Sequence, residues 1–186
     1  MILKMNFDFK KIEIAYKKIK DSITKTPLVS NDYINNLLDA EVYFKLENLQ
    51  NTGSFKLRGA THKISSLSSD VINNGVVAYS SGNHAQAVAY AALQKNISAK
   101  IIMPKNAPKI KIENTKEYGA EVILYDAFFE SREKIGNDIK EKENRSLIKP
   151  YDDIDIIAGQ GTAGFEIAED LKKLSVTPDI YLCCCG

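Results

Sequence analysis

Lys56 stands in the run Asn51-Thr52-Gly53-Ser54-Phe55-Lys56-Leu57-Arg58-Gly59-Ala60, directly behind Thr-Gly-Ser and beside an aromatic. The apolar residues Leu57, Ala60, Ile64 and Leu67 recur at helical spacing, so Lys56 belongs to the first turn of a helix whose other face is buried. An ammonium there feels the positive end of the helix dipole, and apolar surroundings add to the cost of its charge. Both effects favour the free amine, the form that attacks carbonyl groups. Ser-x-Lys on its own equally describes a solvated lysine behind a serine N-cap. The surrounding residues carry the carbonyl reading, not the tripeptide.

A second group, Ser80-Ser81-Gly82-Asn83-His84, lies where a strand-like run gives way to a helical one. Backbone N–H groups and hydroxyls at such a junction can collect a carboxylate, and an amino acid supplies one. A serine cap with a glycine turn is the plainer account of Ser-x-Gly-Asn, and His84 alone reads as a packed histidine. Gly159-Gln160-Gly161-Thr162 reads as a glycine turn before a helix, and Asp152, Asp153 and Asp155 as acids in a solvated turn. Their spacing does not make the acids converge on a metal. Cys183, Cys184 and Cys185 have neither zinc-site nor redox-pair spacing, and they read as reduced core residues of a strand.

Thr-Gly-Ser-Phe-Lys-x-Arg-Gly-Ala resembles the cofactor-lysine motif of the fold type II pyridoxal phosphate enzymes, the tryptophan synthase beta-like superfamily, in its serine/threonine dehydratase and serine racemase branch. Ser80-Ser81-Gly82-Asn83-His84-Ala85-Gln86 is similar to that branch's substrate-carboxylate loop, and Ala158-Gly159-Gln160-Gly161-Thr162 to the segment that returns to its large domain. The resemblance implies pyridoxal 5'-phosphate held by Lys56 as an imine, Phe55 packed against the cofactor ring and Asn83 hydrogen-bonded to the ring hydroxyl. Ser80, Ser81, Gly82, Asn83 and His84 would hold the substrate carboxylate, and Gly186 would open the glycine-rich phosphate loop. Water would leave a 3-hydroxy amino acid, giving ammonia and pyruvate or 2-oxobutanoate. Ser81 stands where racemases of the branch have their opposite-face acid/base, so serine racemisation is the runner-up, together with a hydroxyaspartate-type dehydratase. The resemblance implies no metal ligand in this portion, and a homodimer for the full-length protein.

Those residues need elements to position them. Ile12, Ala15, Tyr16, Ile19 and Ile23 describe an amphipathic helix over 8–23, and a short helix covers 32–38. Val42 to Glu47 reads as the strand that delivers the chain to the lysine loop. From residue 76 onward strands and helices alternate: strands at 76–79, 99–103, 121–125 and 147–149, helices at 85–93, 110–118 and 129–142. Such alternation implies a parallel α/β sheet. The loop-like composition of 65–74 marks a boundary. With the resemblance, 1–70 becomes the first part of a large domain carrying the lysine, 71–149 an inserted small four-stranded domain, and 150–186 the return to the large domain. In that last part, 162–174 reads as a helix and 179–185 as a buried strand.

Composition excludes several partners. Twenty-five Lys and Arg against 24 Asp and Glu leave a net charge of +1, too even for non-specific nucleic-acid or anionic-membrane binding. No apolar run approaches the ~20 residues of a membrane span, and the start lacks a secretory h-region, so a cytoplasmic protein is expected. With only the first glycine of the phosphate loop present, an incomplete gene product is also expected. A non-catalytic fragment or an amino-acid-binding module is then the competing class.

Overall fold

A computed structural model describes residues 7–183. Helix α1 (Lys10–Ile19) buries Ala15 and Ile19 and turns its lysines outward, as the three-and-four spacing requires. Strands β1 (Leu28–Ser30) and β2 (Tyr43–Lys45) form an antiparallel pair around α2 (Asp32–Leu38), which Asn31 caps from its side chain. Strand β1 starts where Pro27 holds the chain extended. Strand β2 lies within the run 42–47 that reads as a strand, whereas β1 and its pairing were not expected, because three residues after a proline are too short a run to show a period.

The chain then forms α3 (Lys56–Ser65), which buries Leu57, Ala60 and Ile64, with Leu67 packed at the edge of the same core. A single turn, α4 (Ser69–Ile72), stands inside the stretch expected to be loop. Next come β3 (Val76–Tyr79), α5 (Asn83–Leu93), β4 (Ala99–Pro104), α6 (Lys109–Glu117), β5 (Glu121–Tyr125), α7 (Arg132–Glu143) and β6 (Ser146–Leu147). These four strands make one parallel sheet in the order β5-β4-β3-β6.

Period-two alternation splits the sheet's residues between two faces. Val76, Ala78, Ile101 and Met103 join the main core under α5 and α6, whereas Val77, Ile102 and Tyr125 meet Ile135 and Ile139 of α7. The chain winds outward from β3 to β4 and β5, then crosses back to the other flank of β3 as β6. Strand order therefore reverses between β3 and β6, and the crevice outside the carboxyl ends of strands at such a reversal is where open α/β sheets bind ligands.

Helix α8 spans Ile154–Leu174, so the expected glycine turn at 159–162 is helix throughout. Asp153 starts it by accepting from the N–H groups of Asp155 and Ile156, and Lys63 pairs with Asp153 at 2.8 Å and Asp155 at 2.9 Å. Asp153 and Asp155 are thus a helix cap and its ion pair, and only Asp152 stays exposed in the turn before the helix. The glycines serve close packing. A Cβ on Gly159 would lie 2.6 Å from Gly59 Cα and 2.7 Å from the Arg58 carbonyl, and one on Gly161 would meet Ile12 at 2.7 Å.

After α8, residues 179–183 form no strand, and Ile180, Tyr181, Leu182 and Cys183 are exposed. The expected buried strand, with Cys183 in the core, is therefore not what these described residues form; no neighbouring strand lies against them to complete a ladder. Cys184, Cys185 and Gly186 lie outside the described residues. Among the described residues no helix is long and apolar enough to cross a membrane, and no three His, Cys, Asp or Glu side chains converge as a metal site would need.

Candidate active site

Lys56 is the first residue of α3, and the helix begins with no side-chain cap. Ser54, the cap expected of an ordinary Ser-x-Lys, does not play that part. Its hydroxyl is buried without a hydrogen-bond partner among the described residues, as is that of Thr52. The ammonium is half-buried and donates to the Pro150 carbonyl at 3.2 Å, and it pairs with no carboxylate among the described residues. Burial pushes its pKa below that of an ordinary lysine. The Phe55 ring lies 5.3 Å from Nζ and is 38% exposed, so Phe55 is not a core phenylalanine but an aromatic surface at the amine.

The second group meets the first at the carboxyl ends of β3 and β6. The Ser80 N–H extends the ladder by donating to the Ile102 carbonyl at 3.0 Å, and the Gly82 N–H folds back on the Ser80 hydroxyl at 3.2 Å. Helix α5 then starts at Asn83 with no side-chain cap, leaving the N–H groups of its first turn turned to the loop. Ser81 and Asn83 are exposed, and His84 is only 3% exposed.

His84 Nε2 lies 3.2 Å from the Ile148 carbonyl, an acceptor, so the proton sits on Nε2 and Nδ1 is left as a buried lone pair without a partner. Burial, opposed by that hydrogen bond and reinforced by the Lys56 charge, lowers the imidazole to about 4. His84 is neutral at physiological pH. Its ring cannot be the positive partner of a carboxylate, and what it offers an anion is its backbone N–H. Lys56 and His84 both fasten to the segment 148–150 that leaves β6, which is how residues so far apart in sequence come to lie near one another. Gly186 lies outside the described residues.

A buried ionic cluster holds the lysine helix in place. Arg58, fully buried, reaches Glu47 at 2.7 and 2.8 Å and Glu166 at 2.8 and 2.9 Å, and Lys45 adds a bond to Glu166 at 2.8 Å. Burial works against the Arg58 charge, but its bonds to Glu47 and Glu166 hold its pKa above the ordinary guanidinium value. Burial likewise opposes the Glu47 carboxylate, and Arg58 and Thr26 still bring it below the usual range. Two bidentate bridges thus tie the first turn of α3 to the loop after β2 and to α8. Sequence reading recognised Arg58 only as part of a motif. Glu47, Lys45 and Glu166 gave no signal, because their pairing is made by the tertiary fold.

A half-buried amine without a carboxylate partner among the described residues thus starts α3 close to the uncapped start of α5, at a strand-order reversal where open α/β sheets bind ligands. Residues 19–186 match the family of pyridoxal-phosphate dependent enzymes, and the chain belongs to it. It is 44% identical over 160 residues to the L-threo-3-hydroxyaspartate ammonia-lyase of Saccharomyces cerevisiae, covering 86% of this chain and 49% of that protein. It is 46% identical over 158 residues to the catabolic L-threonine dehydratase of Escherichia coli, covering 84% and 48%. The crystal structure of serine racemase from Dictyostelium discoideum superposes with a TM-score of 0.83 at 43% identity, covering 88% of this chain and 53% of that one. The chain spans about half the length of these relatives.

The cofactor of the family is pyridoxal 5'-phosphate, and the residues present fit its reactive end. Among the described residues they provide an amine without a carboxylate partner, an aromatic face beside it, and buried hydroxyls at Thr52 and Ser54 without a hydrogen-bond partner.

Proposed function

We propose that this chain is the lysine-bearing part of a pyridoxal phosphate-dependent ammonia-lyase that converts a 3-hydroxy amino acid, serine or threonine, to ammonia and a 2-oxo acid. The observation that carries the reading is Lys56 itself: half-buried, its charge disfavoured by burial, without a carboxylate partner, and sharing the 148–150 segment with the first turn of α5. When bound, the cofactor supplies an aldehyde that condenses with amines and a pyridine ring that accepts the electrons left by a departing α-proton.

The protein's own residues divide the remaining work. Lys56 Nζ would hold the cofactor aldehyde, and the same amine would be the base placed to take the α-proton of the substrate. The backbone N–H groups of Asn83 and His84 and the hydroxyls of Ser80 and Ser81, on the turn that Gly82 closes, would bind the substrate carboxylate and set the α-carbon toward Nζ. Asn83 would offer its amide to the cofactor's ring hydroxyl and Phe55 its exposed face to the ring, and Gly186 would belong to the phosphate-binding loop. Residues 71–149 act as a small domain inserted between 1–70 and 150–186.

Ser81 favours a second reading, serine racemisation, since an exposed hydroxyl on the carboxylate loop could return a proton to the opposite face of the α-carbon. The decisive experiment for both readings is borohydride reduction of the full-length protein loaded with pyridoxal phosphate, followed by mapping of the modified peptide. Label on Lys56, absent from Lys56→Ala, supports the assignment. Label on another amine, or on none, removes it.

A further inference from the structure

Helix α6 carries a lysine that the reading above leaves without a task. Lys111 lies in the first turn of α6, where a cation is disfavoured by that helix's own dipole. It is half-buried and pairs with no carboxylate among the described residues, although the exposed Glu113 and Glu117 follow it on the same helix. Instead its Nζ crosses to the neighbouring helix and donates to Asn83 Oδ1 at 2.8 Å. Asn83 is the first residue of α5, so Lys111 also brings its charge to the positive end of a second helix. An anion arriving at the α5 turn would meet that charge beside the N–H groups of the helix start.

We infer that Lys111 is a positioning residue of the proposed site, fixing the Asn83 amide in the one orientation that serves the cofactor. An asparagine side chain can present either its oxygen or its N–H groups in a given direction. Because an ammonium can only donate, the contact commits Oδ1 to α6 and leaves the two Nδ2–H donors for the crevice. The same charge draws electrons toward Oδ1 and makes those N–H groups stronger donors to an oxygen on the cofactor ring. This rests on the assignment of Asn83 to the ring hydroxyl.

Double-mutant analysis in the full-length protein tests it, with pyridoxal phosphate as the probe and two readouts, its dissociation constant and the position of its visible absorption band. Lys111→Met should raise the dissociation constant about tenfold, the worth of one hydrogen bond from a charged group, and shift the band. Lys111→Gln, which can still donate to Oδ1, should recover most of the affinity. In an Asn83→Ala background Lys111→Met should change neither readout further. Additive effects in the double mutant, or a Lys111→Met protein with unchanged affinity and band, overturn the inference. Borohydride labelling of Lys56 in the same variants separates the outcomes: if labelling persists while the cycle is additive, only the role of Lys111 fails. If Lys56 is never labelled, the functional reading has failed first.

Discussion

A neutral histidine buried beside a lysine gives the crevice its own pH dependence. His84 titrates at about 4 in the folded protein against 6.5 for the free side chain, chiefly because burial disfavours its cation. Between those values the unfolded chain holds a proton that the native state refuses, so stability falls as pH drops from 6.5 toward 4, by up to ~3 kcal/mol when the window has been crossed. Denaturant titrations of the full-length protein at pH 7, 5.5 and 4.5 should show that decline, and His84→Gln, which can still donate to the Ile148 carbonyl, should flatten it. An equal slope in wild type and variant removes His84 as the cause. Ser81 sits on the same loop with a different duty. Its hydroxyl is exposed and lies outside the core, so Ser81→Ala should leave folding and most ammonia release intact while abolishing interconversion of D- and L-serine, measured by chiral chromatography. Equal loss of both activities would deny the hydroxyl a special part.

At the level of elements, the lysine is placed by helix packing more than by its loop. Helices α3 and α8 approach so closely that Gly59 and Gly159 touch, and the Arg58 bridges cross the same seam. Gly159→Ala puts a methyl group 2.7 Å from the Arg58 carbonyl, a backbone atom that can yield only if α3 shifts. We expect a loss of ~1–3 kcal/mol from overpacking, with weakened cofactor binding because Lys56 rides on the displaced helix. Gly164→Ala, on the same α8 but with no atom within 4 Å of the new Cβ, should be neutral or stabilising by up to ~1 kcal/mol through helix propensity. Thermal melts of the two variants make the comparison, and matching shifts would refute the seam. This contrast also shows what could be read from the sequence. Lys56, the strand run Val76–Tyr79 and the 3.6-residue spacing of Leu57, Ala60 and Ile64 are local patterns, and they were legible. Glycines at 159 and 161 read as a turn because the local preference of glycine is for turns; only the tertiary approach of Gly59 and Ile12 makes them helical packing positions. Glu166 was invisible for the same reason, since its partner lies on another helix.

Across the whole molecule, burial is distributed unevenly, and that should govern how it opens. Strands β3 and β4 and helix α5 are buried nearly throughout, whereas α2 buries no residue and β1 and β2 form an isolated pair with partly exposed faces. Tyr33, Leu37 and Leu38 of α2 are 74%, 67% and 58% exposed, so little apolar contact holds that segment to the rest. Free energies of local opening follow such contact density. Amide hydrogen exchange should therefore release α2 and the β1–β2 pair early, and protect Val76–Ala78, Ile101–Met103 and the middle of α5 longest. Helix α3 is the informative case. It joins the sheet core through Leu57, Ala60 and Ile64 and is bolted to α8 by Arg58, so its amides should exchange with the sheet although the loop before it is exposed in part. A rigid mounting for Lys56 is what proton transfer at a single carbon requires, because a displacement of about 1 Å in a reacting group can cost a hundredfold in rate. Exchange of α3 at the rate of α2 would mean that the amine is carried by a mobile arm, and that its placement depends on the cofactor rather than on the fold.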